Sequence, residues 1–416
     1  MKNIFNVFIF NVLSLASVSG QDSLKSKISE EEINIIINKK SSINNQVDII
    51  LKELSKNDAR LMARNFSFNN IQEDNAQDNT IEKKKVISKV FTVDAKDKLS
   101  INNQHGEVKV ELWNKNEIKV DITIMGYGNS DKKAQELLDN VEIIDKREGE
   151  KISFKTLIDS DNNSWFGGNN WSWKSDKKEE ENMKKGVEVN YMIYMPRTNS
   201  LAVSNKYGKI IIAQFAAPLR VMSNYGSFTS DRLTGADKDI FVQYGSSSIK
   251  QMDDGDLHIA YSKLNIDKAD NLKLTNNYGS VTLDDINNLD GTFQYSSGKI
   301  GRINETGKLS ISYSDGVQLS ELSKTLKTLD IRSNYTAVRL PVNGDVNADF
   351  EVTTTYANFK YPQGKVTFTV KPDENDDDDR KMGWQSTKTY KGKIGKGSNT
   401  KITIRTNYAG VKFMEK

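Results

Sequence analysis

The chain has 416 residues, a net charge of +3 and no cysteine. Disulfides, thiolate metal sites, cysteine nucleophiles and a lipid anchor on an N-terminal cysteine are excluded. Lys and Arg are interspersed with Asp and Glu, which leaves no one-signed field for nucleic acid.

The first twenty residues differ from the rest. Lys2 supplies a positive start, Ile4 to Leu15 is mostly apolar, and Val18-Ser19-Gly20 puts compact residues before Gln21. This pattern predicts a secretory signal over 1–20, with an uncleaved N-terminal anchor as the alternative. No later run of 18 apolar residues exists, so no transmembrane segment is expected in the mature chain.

Residues 21–84 read as a helical segment and linker. Ser29-Glu30-Glu31-Glu32 has the form of a capping box, and Ile33, Ile36 and Ile37 fall on one helical face. From Lys85 the apolar period becomes two, through Leu99 and Ile101, then Val108, Val110 and Leu112, then Ile118, Val120, Ile122 and Ile124. That alternation predicts strands. Residues 85–200 form a strand-rich first region, with one amphipathic helix over 131–141 and a Trp-rich insertion at 158–186.

Residues 201–416 are dominated by a repeat. Tyrosines fall at Tyr207, Tyr225, Tyr244, Tyr261, Tyr278, Tyr295, Tyr313, Tyr335 and Tyr356, at intervals of 18, 19, 17, 17, 17, 18, 22 and 21. Apolar residues recur four before most of the tyrosines (Val203, Val221, Ile240, Leu257, Leu274) and five after several of them (Ile212, Ile249, Ile266, Leu283, Ile300). A small residue follows most of the tyrosines, as in Gly208, Gly226, Gly245, Ser262 and Gly279. A fixed period near this length marks a solenoid. The expectation is a mainly β fold, a parallel β-helix with coils of about 17–18 residues, neighbouring coils pairing at roughly 4.8 Å. The small residue is expected to turn the corner, since glycine tolerates positive φ and leaves room for the neighbouring coil. The tyrosines are expected to stack as a structural ladder. The frame returns in INNQHGEVKV, with His105 in the tyrosine slot, and in IRTNYAGVKF around Tyr408. Five prolines in the whole chain fit a sheet protein, because proline cannot donate to a ladder.

The stretches FTVDAKDKLSINNQHGEVKVELWNKNEIKVDITI and VEVNYMIYMPRTNSLAVSNKYGKIII, with the Tyr-Gly units, resemble the DUF4097-type family of bacterial adhesin candidates. That family is related to the auto-transporter adhesin head domains of Bacteroidetes. The resemblance spans roughly residues 86–361. It implies a right-handed parallel β-helix exported by the cell and no catalytic residue. The helical N-terminal segment and the Trp-rich insertion depart from it.

SWFGGNNWSWK gathers Trp165, Phe166, Trp171 and Trp173. Such aromatics among Asn and Gly can stack on sugars or anchor a protein interface. A cap over one end of the solenoid and a disordered loop are the alternatives. The acidic run at 373–380 lacks the spacing of a calcium loop and reads as solvated. Asp253, Asp254, Asp256, Asp284 and Asp285 are expected at coil corners as turn formers. No metal site and no cofactor are expected. The function expected is that of an exported, non-enzymatic, adhesin-like module presenting an extended surface to a glycan or protein at the cell envelope. An envelope spacer is the second reading. A polysaccharide-active enzyme is the third, and it would need acids converging on one face.

Overall fold

The computed structural model describes residues 80–158, 186–342, 346–372, 387–397 and 400–415. The expected signal, the helical N-terminal segment up to residue 79, the Trp-rich insertion from 159 to 185 and the acidic run lie outside the described residues.

The described chain is mainly β, with 26 strands and one helix. Its middle consists of four long strands: β14 (Ser246–Ala260), β15 (Lys263–Asn277), β16 (Ser280–Gln294) and β17 (Ser297–Ser312). Each pairs in parallel with the next, and Lys263 lies opposite Ser280, one repeat later. This offset follows from the spacing of the apolar residues. Slipping by one residue would turn Leu264, Ile266 and Leu274 outward.

The same unit is split into two shorter strands elsewhere. Before the corner residue lie β2 (Lys98–Gln104), β8 (Ser200–Lys206), β11 (Leu219–Asn224), β13 (Lys238–Gln243) and β19 (Thr328–Asn334). After it lie β3 (Val108–Trp113), β9 (Lys209–Ile212), β12 (Ser227–Leu233), β18 (Gly316–Leu322) and β20 (Val338–Pro341). Parallel pairing runs from β2 to β8, β11, β13 and β14 on one side of the corner. It runs from β3 to β9, β12 and β14 on the other. The result is a solenoid-like stack of layers.

Equivalent apolar residues meet inside the stack. Ile249, Ile266, Leu283 and Ile300 stand opposite one another in successive strands, and all are buried. Gly291 falls in the column of Leu257, Leu274 and Leu309, where a methyl group would meet the Phe293 ring. Phe293 fills that space from two positions away.

The two ends are built differently. At the N-terminal end, β4 (Glu117–Gly128) is sandwiched antiparallel between β1 (Ile81–Thr92) and β7 (Gly186–Pro196), and β7 joins β3 in parallel. β6 (Lys151–Ile158) joins β2 in parallel and carries β5 (Val141–Glu148) antiparallel on its other side. Helix α1 (Asp131–Asp139) begins at Ser130, whose Oγ accepts from the Lys133 amide at 3.2 Å. It lies so close to β4 that a methyl group on Gly128 would meet the backbone of Ala134. The helix stops before Val141, which already belongs to β5. β1 starts at Ile81, inside the segment expected to be linker.

The C-terminal end breaks the order of the chain. β21 (Ala348–Thr355) and β22 (Phe359–Lys360) follow β20 in sequence but not in space. Between them is wedged the last unit, β25 (Lys401–Asn407) and β26 (Val411–Met414). β25 pairs in parallel with both β19 and β21, and β26 with both β20 and β22. Antiparallel β24 (Thr387–Ile394) and β23 (Val366–Val370) close the end beyond β21.

Candidate functional site: an aromatic corner and a polar groove

Each layer turns at one residue with positive φ. That residue is His105 and then each tyrosine of the repeat, with φ between 50° and 60°. The sequence reading assigned this turn to the small residue that follows. The structure gives it to the tyrosine, and the small residue serves the other expected purpose, room for the neighbouring layer. A methyl group on Gly226 would run into the carbonyl oxygen of Gly208 in the preceding layer, and one on Gly245 into that of Gly226. Further along, serine is tolerated and its hydroxyl is used. Ser262 Oγ accepts from the Gly245 amide at 2.9 Å and donates to the Ala260 carbonyl at 2.7 Å. Ser314 and Thr336 accept in the same way from Ser296 and Ser314. A left-handed non-glycine residue is uncommon, and here it is held by a repeated bond. The Tyr261 amide donates to Asn277, that of Tyr278 to Gln294 and that of Tyr295 to Ser312.

The corner residues stack. His105, Tyr207, Tyr225, Tyr244, Tyr261, Tyr278, Tyr295, Tyr313 and Tyr335 follow one another with ring centroids 4.9–5.2 Å apart. Tyr408 comes next at 4.6 Å, and Tyr356 lies beyond it at 5.4 Å. The sequence spacing put Tyr356 directly after Tyr335; the wedged C-terminal unit separates them. The stripe lies on the outside. Nine of its ten tyrosines are 39–50% exposed. Since neighbours cover the ring faces, the exposed parts are edges. Packing and the repulsion between adjacent phenolates push the hydroxyls of Tyr261, Tyr295 and Tyr335 up from the usual tyrosine value. Burial, followed by the charge of Lys206, pushes His105 down.

A groove of about 1120 Å³ crosses seven layers on the outward face of the strands that precede the corner. One row holds Asp254, Asn271, Asn288, Thr306 and Thr328. Asn271 donates to Asp254 at 2.5 Å, Asn288 to Asn271 at 3.0 Å and Thr306 to Asn288 at 2.7 Å. A second row alternates in charge through Asp256, Lys273, Asp290, Lys308 and Asp330. Lys273 meets Asp256 at 2.6 Å, Lys308 meets Asp290 at 3.0 Å and Arg405 meets Asp330 at 3.7 Å. Phe241 and His258 stack at 4.6 Å at one end, with Arg220 over the Phe241 ring.

The aspartates expected at corners are therefore strand residues. Asp253, Asp254 and Asp256 belong to β14, and Asp284 and Asp285 to β16. Asp254, Asp256 and Asp285 are members of side-chain ladders; Asp285, for example, accepts from Arg302 at 2.9 Å, while Asp253 accepts from the Gly235 amide at 2.8 Å. The signal for the groove was already in the sequence as Asp/Asn/Lys residues recurring at the tyrosine period, but the bends of the long strands that make it concave were not. Trp165, Phe166, Trp171 and Trp173 lie outside the described residues.

No family model and no curated protein matches the chain. Among solved structures, a candidate cell adhesion protein from Clostridium sporogenes is similar over 80% of this chain and 100% of that one, at 11% identity and a TM-score of 0.21. A candidate adhesin from Bacteroides fragilis is similar over 79% of this chain and 97% of that one, at 12% identity and a TM-score of 0.29.

Proposed function

We propose that this chain is an exported, non-enzymatic, adhesin-like binding module on a right-handed parallel β-helix, and that its groove takes an extended, uncharged glycan. The observation that carries this reading is the groove. It runs roughly 30 Å along the stack at strand spacing, a span that suits a polymer. The charges of its second row pair with one another, so that row offers little to a polyanion or a polycation. The central Asn271, Asn288, Thr306 and Thr328 have both donors and acceptors, the groups that a row of sugar hydroxyls needs. Asp256, Asp290 and Asp330 are each tied to a cation, an arrangement that fixes a surface instead of moving protons. The sequence resemblance to the DUF4097-type family supports export and adhesion.

The test is retention of the full-length protein on immobilised neutral polysaccharides, against an Asn271→Lys/Asn288→Lys variant that charges the floor. Retention lost in the variant supports the reading. No retention on any neutral polysaccharide removes it and leaves the spacer, which the self-paired charges and the strand-closed ends also suit. Protease treatment of intact cells tests export to the surface, since a surface protein is cut before the envelope is opened.

A further inference from the structure

We infer that the tyrosine stripe is a contact surface for a second copy of this chain, two stacks lying side by side along their length. The inference is independent of the groove, which lies on the strand faces away from the corner.

The first ground is area. With about 200 Å² for each aromatic side chain, nine half-exposed tyrosines and the less exposed Tyr295 offer on the order of 900 Å². Each partner in a standard interface contributes roughly 800 Å². Exposed apolar surface of this extent marks interaction sites. Tyrosine is also the residue type that anchors interfaces.

Charge is the second ground. From Tyr225 to Tyr335 the residue before each tyrosine is uncharged: Asn224, Gln243, Ala260, Asn277, Gln294, Ser312 and Asn334. Two residues after the corner, Ser227, Ser246, Ser280 and Ser297 alternate with only Lys263 and Asp315 as charges. A surface with so little charge can meet its own copy without like-charge repulsion.

The third ground is pitch. Rings repeat every 4.9 Å through the middle of the stack. A second stack has the same repeat, so one favourable ring-edge contact is reproduced at every layer. The rings are already immobilised by stacking and by the corner hydrogen bonds, so little side-chain freedom is lost on association.

Stacking alone does not account for this choice of residue. A left-handed corner that only had to turn is filled at least strain by Gly or Asn. The repeat places an aromatic edge with a hydroxyl there in ten of eleven layers. Because the ring faces are covered, the stripe is also a poor platform for sugars, which stack on open faces.

The experiment is sedimentation velocity of the full-length protein over its soluble concentration range. A reversible dimer is expected. Gln243→Glu/Gln294→Glu places like charges beside the stripe on two exposed side chains that the core does not use. It should weaken the dimer by about tenfold or more, with the loss reduced by added salt. Tyr261→Asn/Tyr278→Asn, which keeps left-handed corners, should weaken it as well. A monomer at all concentrations overturns the inference, and so does a dimer that the Glu pair leaves unchanged at low salt. Circular dichroism of each variant separates lost contact from lost fold. Glycan retention that survives in a Glu-pair monomer leaves the groove reading standing while the stripe contact is removed.

Discussion

The middle of the stack and its C-terminal end use the same unit in different orders. From β14 to β17 each unit pairs with the one before it and the one after it in sequence. At the end, the last unit of the chain sits between two earlier ones. The local pattern of alternating residues, tyrosine and small residue makes a unit. It does not say which unit is next door. In the middle the connections are so short that sequence order decides the neighbour. At the end the chain is free to return, and unpaired strand edges on β19 and β21 draw in the segment that fits.

The sharpest way to break this comparison is deletion. Ending the chain at Gly397 removes β25 and β26 and with them the buried Ile402, Ile404, Val411 and Phe413. At about 1.5–3 kcal/mol for each side chain, on the order of 6–12 kcal/mol is lost. Thermal unfolding should show the C-terminal region melting first or not folding. Deleting Lys263 to Gly279 instead removes one complete layer and joins Ser262 to Ser280, the register equivalent of the deleted Lys263. Cooperative unfolding should survive, as it does when a solenoid loses one interior repeat. If both deletions are equally destructive, the middle is not modular.

Inside and outside of one layer form the next pair. Leu274 is 1% exposed, and Leu274→Ala should cost about 2–5 kcal/mol in chemical denaturation. Tyr278→Ala removes stacking on both sides of a half-exposed ring and should cost about 1–2 kcal/mol. Equal costs would make the stripe part of the core and weaken its assignment as a contact surface.

Alkaline pH separates the N-terminal end from the middle. Tyr191 is 1% exposed, shares a 2.8 Å hydrogen bond with Thr156, and is pushed up to about 12 by burial. Its folded value lies above its unfolded one, near 10. Its contribution is therefore complete below pH 10 and is lost as pH rises from 10 to 12, by roughly 2–3 kcal/mol. Tyr191→Phe should flatten this part of the stability profile. Tyr261, Tyr295 and Tyr335 of the stripe shift the same way through packing and mutual repulsion. A variant that still loses stability over this range assigns the loss to the stripe.

The smallest contrast lies at the corner. Gly226→Ala pushes a methyl group into the Gly208 carbonyl and should cost about 1–3 kcal/mol. Ser262→Ala adds no bulk, loses the bonds with the Gly245 amide and the Ala260 carbonyl, and should cost about 1 kcal/mol. A tolerated alanine at Gly226 would show that neighbouring layers can separate there.

Much of this was legible in the sequence. Period-two alternation from Lys85, the Tyr-small pairs and their intervals gave strands, layers and the order of the middle. The helix expected over 131–141 was legible from its apolar spacing, though it ends at Asp139 because Val141 belongs to β5. Glycine at the corner was read correctly as leaving room for the neighbouring layer, but wrongly as the left-handed residue. Its left-handed partner was the tyrosine, and no propensity scale points there. The groove was half legible. Its Asn and Asp residues were visible, but they read as turn formers, because a strand that bends without a turn residue leaves little mark on composition.

What the sequence determined by itself is the unit: which residues face inward, where each layer turns, and that an aromatic stands at every turn. Those features depend on side-chain alternation and on contacts within a few residues or one repeat, which a linear pattern records directly. The tertiary structure alone decided three things. Tyr408 lies between Tyr335 and Tyr356, the stripe is outside, and the polar columns line a concave face. Each depends on how strands far apart in the chain close around a shared core, where the gain comes from burying strand edges and apolar columns together. That closure has no single stretch of sequence in which to be read.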